Sequence, residues 1–335
     1  MPDIMPPEPP LLRVEDLTVR FRRRNIDVAA VNGVSFALAR GETLTILGES
    51  GSGKSVSLKA LMGLLPAYAS TEGSVWLESR SVLDMPAADL AKLRGGAIAM
   101  IFQEPMSALD PVYTIGEQIA ETIVQHEAIS RADAMRRALD LLNHVKIPSA
   151  ARRLKSYPHE LSGGMRQRAM IALALACSPS VLLADEPTTA LDVTVQIQIL
   201  LLLRQLQQEF GMAIVFVTHD VGAAAEISDR IAVMYAGRFV ETATAREIMR
   251  TPRHPYTQGL LASTVHGGLR GRVLETIPGA PPNLAQLPPG CAFAPRCRYA
   301  IEPCVGGEVP VALSSTGAMV RCCRAVSFPV QEVSA

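Results

Sequence analysis

The chain has 335 residues, room for one large or two ordinary domains with an ample core. Lys+Arg and Asp+Glu stand at 32 each, so no bulk positive charge favours DNA or RNA as a partner. Apolar residues make up 48% of the chain, yet no uninterrupted apolar stretch approaches the length of about 18 that a membrane span needs.

The opening M-P-D-I-M-P-P-E-P-P is Pro-rich and lacks a basic-then-apolar leader, so residues 1–10 are expected to be disordered and the protein to be cytosolic, reaching a membrane only through partners. L-T-V-R-F-R-R-R (17–24) reads as an edge strand carrying Phe21. T-L-T-I-L (43–47) is an apolar, β-branched run that predicts a buried strand, and S-V-S-L-K-A-L-M-G-L-L after it has apolar residues at helical spacing. Between them lies G-E-S-G-S-G-K-S, residues Gly48, Glu49, Ser50, Gly51, Ser52, Gly53, Lys54 and Ser55. Strand, Gly-rich turn and helix is the context in which such a loop cradles phosphates: the glycines free the backbone to aim successive N–H groups at one anion, and the helix adds its positive end. Lys54 then reaches the β- and γ-phosphates and the Ser55 hydroxyl binds Mg²⁺.

F-Q-E-P (102–105) supplies Gln103, which by itself reads as a loop residue. I-G-E-Q-I-A-E-T-I-V-Q-H-E-A-I and A-D-A-M-R-R-A-L-D-L-L-N-H-V follow as amphipathic helices, with Ser130 and Asp133 as a capping-box-like pair. L-S-G-G-M-R-Q-R (161–168) precedes a strongly apolar helix, so Ser162, Gly163 and Gly164 sit at a helix N-terminus, a second anion site. One nucleotide has a single γ-phosphate, so two such sites in one chain suggest ATP held between two subunits. Cys177 lies in that apolar helix and reads as a small core residue. V-L-L-A-D-E (181–186) is an apolar strand ending in two carboxylates; alternation along a strand sends Asp185 and Glu186 to opposite faces, Asp185 toward Mg²⁺ and Glu186 toward an attacking water. The alternative is that the pair merely caps a turn. A-I-V-F-V-T-H-D (213–220) is another buried strand with His219 at its carboxyl end, where ligands of open α/β sheets bind.

Taken in this order, the blocks resemble the nucleotide-binding subunit of an ABC (ATP-binding cassette) protein over about residues 11–250. The resemblance implies an α/β fold with a P-loop NTPase core and a helical subdomain at about 104–178. It also implies that His219 contacts the γ-phosphate and Glu186, and that Gln103 senses Mg²⁺ and water and couples to a membrane subunit. Leu161, Ser162, Gly163, Gly164 and Met165 match the signature that closes over the partner subunit's ATP; Met165 replaces the usual Gln and marks a subfamily. Asp192, in A-L-D, matches the loop that crosses the dimer interface. Phe21 stands roughly where the family stacks the adenine on an aromatic; the other reading is a core-facing strand residue.

Beyond residue 250 the character changes. Four Pro-Pro or Pro-Gly steps in 278–290 exclude regular helix or a central strand. H-P-Y-T-Q-G-L-L, P-G-A-P-P-N and P-G-C-x-F-x-P-R-C resemble the Pro/Cys-rich C-terminal extension (251–335) of ATPases from bacterial peptide and nickel importers. That branch implies ATP and Mg²⁺ as cofactors, a second ATPase subunit, two transmembrane permease subunits, an extracytoplasmic substrate-binding protein, no nucleic acid, and a peripheral place on the cytoplasmic side of the inner membrane. The cargo implied is a di- or oligopeptide, with nickel or glutathione-like cargo, or a soluble non-transport ATPase, as alternatives. Five cysteines crowd the extension, and the spacing C-x₅-C-x₆-C-x₁₇-C matches neither a zinc finger nor a ferredoxin run. Four thiolates suit a [4Fe–4S] cluster or Zn²⁺, and absence of metal stays open. Some members of the branch carry such a cluster, and register with them selects Cys291, Cys297, Cys304 and Cys322 over Cys323.

Overall fold

The computed structural model describes residues 9–23, 26–263, 276–314 and 317–325, and these fall into two compact units. The disorder expected of the opening segment concerns mainly residues 1–8, which lie outside the described residues.

One unit comprises Met1–Leu12, Ala37–Glu42 and Trp76–Val217. Its strands Ile98–Ile101, Val181–Asp185 and Ala213–Thr218 run parallel and are wholly buried, with Val181 opposite both Ile98 and Ala213. Continuous Val, Ile and Leu is the composition of strands covered on both faces. The helix Val193–Phe210 makes the crossover between the last two strands. Asp192 begins it by accepting from the Val195 N–H at 3.0 Å, and Gly211 at φ 62° ends it in the left-handed conformation that favours glycine. The helices Ile115–His126, Arg131–His144 and Gly163–Ala174 fill the stretch between the first two strands. Thr114 and Glu117 complete a capping box on the first. At Ser130 the device is only half made: Ser130 Oγ accepts from the Asp133 N–H at 3.2 Å, but the Asp133 carboxylate takes the Ser130 hydroxyl at 2.6 Å. Aspartate is one methylene shorter than the glutamate that reaches back to the cap's own N–H. Cys177 corrects its expectation, lying in the turn beyond Ala174 and half-buried, with Sγ 3.8 Å from the Thr122 carbonyl.

The other unit comprises Arg13–Phe36, Thr43–Val75 and Thr218–Ala335. Here the strand carrying Phe21, Leu12–Arg23, lies between Ile26–Leu38 and Ala69–Leu77, so it is an interior strand and not the expected edge. Its residue pattern is compatible with either position, because alternation reports which face is buried and not how many neighbours a strand has. The strand Thr43–Leu47 runs parallel to Arg230–Tyr235, which turns back through Ala236 and Gly237, at φ 49° and 79°, into Arg238–Thr244. Two consecutive positive φ values suit the twist of a tight hairpin. Met319–Arg321 pairs antiparallel with Arg238–Thr244, and Val311–Leu313 adds beyond it. The stretch 278–290 holds neither helix nor strand. Even so, the residues around it are built into the core: Phe293 and Ala318 pack with Tyr235, Ile248, Tyr256 and Leu261.

Candidate functional site

The strand Thr43–Leu47 delivers the chain into the loop 48–55, and the helix Lys54–Leu61 carries it away. The glycines differ in purpose. A Cβ on Gly48 would stand 2.3 Å from the Met234 carbonyl oxygen, so Gly48 is required by close approach. Gly51 needs its freedom for φ 79°, with open space around it, whereas Gly53 combines φ 106° with the Ala30 carbonyl at 2.3 Å. Lys54 is buried and its Nζ donates to the Gly48 and Glu49 carbonyls at 2.8 and 2.9 Å, which holds the ammonium inside the curl of the loop. Ser52 Oγ is buried without a hydrogen-bond partner among the described residues. Ser50 is exposed and Ser55 half-buried, the latter in the first turn of the helix. The result is a tight, glycine-dependent loop wrapped around one buried cation.

The other half of the chemistry is in the Val181–Asp185 unit. Asp185 and Glu186 are both buried, but the strand ends at Asp185, and Glu186 takes φ 46°. Strand alternation is therefore not what parts the two carboxylates; a left-handed backbone at Glu186 re-aims its side chain. Such a conformation is costly for a residue with a Cβ and clusters at functional sites. It is held by the Glu186 N–H donating to the Val217 carbonyl at 3.0 Å. Gln103 and Glu186 are brought together, with Gln103 Nε2 donating to Glu186 Oε2 at 3.3 Å. Thr189, which sequence reasoning missed, donates its hydroxyl to the same oxygen at 2.9 Å. The local signal was the hydroxyl three residues past the carboxylate, in E-P-T-T. A buried carboxylate accepting two hydrogen bonds and fixed in direction can orient a water molecule.

His219 is exposed just after the strand Ala213–Thr218, and Asp220 caps the following helix by accepting from the Gly222 and Ala223 N–H groups. In the signature block Leu161 is buried and anchors the turn, while Ser162 caps the helix Gly163–Ala174, accepting from the Met165 N–H at 3.4 Å. Gly164 is fixed by packing, since a Cβ there would lie 2.9 Å from Val195 Cγ1. Gly163 is exposed, its nearest neighbour being Leu191 Cδ2 at 4.0 Å, so no contact among the described residues requires glycine there. Asp192 has a local duty as helix cap and is also exposed. Phe21 packs against Tyr68, ring centroids 6.0 Å apart, and the largely exposed Tyr68 is an aromatic that sequence reasoning passed over.

All six cysteines are free, and Cys291, Cys297, Cys304, Cys322 and Cys323 line one small cavity together with His254 and Phe293. Burial raises the thiols of Cys291 and Cys297 and pushes those of Cys322 and Cys323 up to about 11, so without a bound cation they are neutral. His254 Nε2 is buried in the same cavity wall with no partner among the described residues. In kind, a thiol-only set around an orphaned imidazole donor fits a soft metal or a cluster. In arrangement it falls short: among the described residues no group of three or more His, Cys, Asp or Glu side chains is disposed to hold a metal ion. The expected cluster therefore has its donors gathered but no ligand geometry.

Comparison with known proteins bears on the whole chain. The ABC transporter family pattern matches residues 31–189, and the pattern for the oligopeptide/dipeptide transporter C-terminal region matches residues 240–304. The chain is 48% identical over 323 residues to the oligopeptide transport ATP-binding protein OppD of Salmonella typhimurium, covering 96% of this chain and 95% of that one. It is 47% identical over 289 residues to the dipeptide transport ATP-binding protein DppD of Bacillus subtilis, covering 86% of each. Among solved structures, the dimeric ATP-binding cassette MJ0796 with ADP and phosphate aligns with a TM-score of 0.63 at 31% identity, over 70% of this chain and 99% of that one.

Proposed function

Because the chain belongs to the ABC transporter ATP-binding family, in its oligopeptide/dipeptide branch, we propose that it is the ATP-hydrolysing subunit that energises import of di- or oligopeptides. Glu186 carries this reading: its carboxylate, re-aimed by a left-handed backbone and held by Gln103 and Thr189, is built to direct a nucleophile. The backbone N–H groups of the loop 48–55, other than those of Glu49 and Ser52, and the Lys54 ammonium would take the β- and γ-phosphates, Ser55, Gln103 and Asp185 would hold Mg²⁺, and His219 would meet the γ-phosphate. Bound Mg²⁺ supplies charge neutralisation on the phosphates. Glu186 orients or deprotonates the attacking water, and Phe21, backed by Tyr68, takes the adenine face.

Leu161–Met165 and Asp192 would face the nucleotide of a second ATPase subunit, a related chain. The vacant space above Gly163 supports that reading. Two permease subunits and an extracytoplasmic binding protein complete the assembly. Exposed Met106, Val112 and Tyr113, close in sequence to Gln103, supply the apolar surface for a permease contact. Among the described residues no helix is long and apolar enough to cross a membrane, so attachment to the inner face of the cell membrane would run through those partners.

In the assembled transporter, Glu186→Gln is expected to keep MgATP binding and to lower turnover about 100-fold or more. Appreciable hydrolysis by that variant removes Glu186 from the reaction. For the cysteine cavity we favour a [4Fe–4S] cluster on Cys291, Cys297, Cys304 and Cys322, with Zn²⁺ as the alternative; the shared cavity and the orphaned His254 Nε2 support it. Metal analysis of anaerobically purified protein that finds neither iron nor zinc in stoichiometric amount would overturn both.

A further inference from the structure

We propose that Arg296 is a positioning residue of the nucleotide site, and that the C-terminal extension sets the phosphate loop through residue 49. The inference rests on reading residues 48–55 as the ATP-binding loop. Glu49 is the second residue of that loop, and every polar group it owns is taken. Its N–H donates to the Tyr256 hydroxyl at 2.9 Å. Its carbonyl accepts from Lys54 Nζ at 2.9 Å and from the Ser52 N–H at 3.2 Å. Its carboxylate receives both arms of the Arg296 guanidinium, Nη1 at 2.8 Å and Nη2 at 3.1 Å. Two of these holds come from beyond residue 250, across 207 and 247 positions of sequence.

Arg296 is itself fixed. Its side chain is 6% exposed, Nε donates to the Pro278 carbonyl at 2.9 Å and Nη1 reaches the Tyr235 hydroxyl at 3.3 Å. Phe293 and Tyr235 stand beside the guanidinium at 6.0 and 5.9 Å, and Tyr256 is fully buried against both rings. Three C-terminal runs share this task. H-P-Y supplies the hydroxyl, P-G-A-P-P-N supplies the carbonyl that aims the arginine, and P-R-C supplies the arginine.

The charge logic points the same way. An unpaired glutamate in a loop that wraps a triphosphate would repel it, at about 1 kcal/mol or more for unit charges a few ångströms apart even in water. A bidentate guanidinium both neutralises that carboxylate and fixes its direction, and lysine cannot reproduce the fork. A buried ion pair alone is weak evidence for stability, so the role assigned here is orientation of the loop's N–H groups rather than stabilisation of the fold.

The test measures ATP hydrolysis and nucleotide affinity in the transporter assembled from the full chain and its permease subunits. If the pair presets the cradle, Arg296→Gln weakens ground-state and transition-state binding together. The Michaelis constant for ATP then rises about tenfold while turnover stays within about twofold. Arg296→Lys falls between wild type and Arg296→Gln, and the reciprocal double variant Glu49→Arg with Arg296→Glu recovers part of the affinity lost by either single change. Should Arg296→Gln fail to fold, Tyr256→Phe removes only the hydroxyl that accepts from the Glu49 N–H, with an expected rise of about threefold. An unchanged Michaelis constant in whichever of these variants folds, whatever its melting temperature, would make the contact purely structural and overturn the proposal. Failure of the wild-type assembly to bind ATP would instead overturn the reading of the loop.

Discussion

His254 is wholly buried, with Nδ1 accepting from the Tyr256 N–H at 3.0 Å, and desolvation pushes its pKa down from 6.5 to about 3. The hydrogen bond requires an unprotonated Nδ1, so the ring is neutral in the fold. An unfolded chain takes up this proton near pH 6.5 while the folded chain resists to about 3. Between those limits the unfolded state binds more protons, and stability falls as pH falls. Glu241, which accepts from the His254 and Arg253 backbone N–H groups, acts in the opposite sense: burial raises its carboxyl, so the fold binds that proton more readily. The informative quantity is therefore a difference. Between about pH 7 and pH 5 the melting temperature of wild type should drop more steeply than that of His254→Gln, in which Glu241 is retained. Parallel slopes would mean that His254 is protonated or solvated in the fold.

At the scale of elements, the helix Gly163–Ala174 begins with two glycines that answer to different demands. Gly164 lets the helix Val193–Phe210 approach, and a methyl there would crowd the stiff Val195 side chain. Gly163 has room for a methyl. Gly163→Ala should leave the melting temperature of the isolated chain unchanged or slightly higher, since alanine is the better helix former. On the proposed function the same change should lower ATPase activity in the assembled transporter, where a partner subunit's nucleotide would approach that N–H. Full activity of Gly163→Ala would show that nothing closes over the signature at this position. The strand Leu12–Arg23 teaches a related point: its alternation was readable, while its interior place between two neighbours was decided by the partners the chain brings to it.

At the scale of the molecule, the C-terminal residues are structural members of the unit that holds the phosphate loop. Phe293 contributes a buried ring against Tyr235 and Tyr256, and Met319–Arg321 pairs along Arg238–Thr244. Phe293→Ala should destabilise the chain by about 3–5 kcal/mol, the usual result of emptying a buried aromatic position, and denaturant unfolding measures it directly. A loss below about 1 kcal/mol would mean that the extension rests on the core without completing it.

The local backbone of the sequence blocks was legible because it is set within each block. A Gly-rich turn between strand and helix, a strand ending in carboxylates and a serine before a helix each carry their geometry within about eight residues. Composition and Pro steps likewise marked the irregular stretch 278–290. What adjoins what was not legible. Arg296 on Glu49, Thr189 on Glu186, Tyr68 beside Phe21, and five cysteines with His254 around one cavity are products of folding. Periodicity reports which face of an element is buried, and a motif reports the backbone it needs. Neither says which distant side chain will arrive there, because that is settled by the packing of the whole unit around its core.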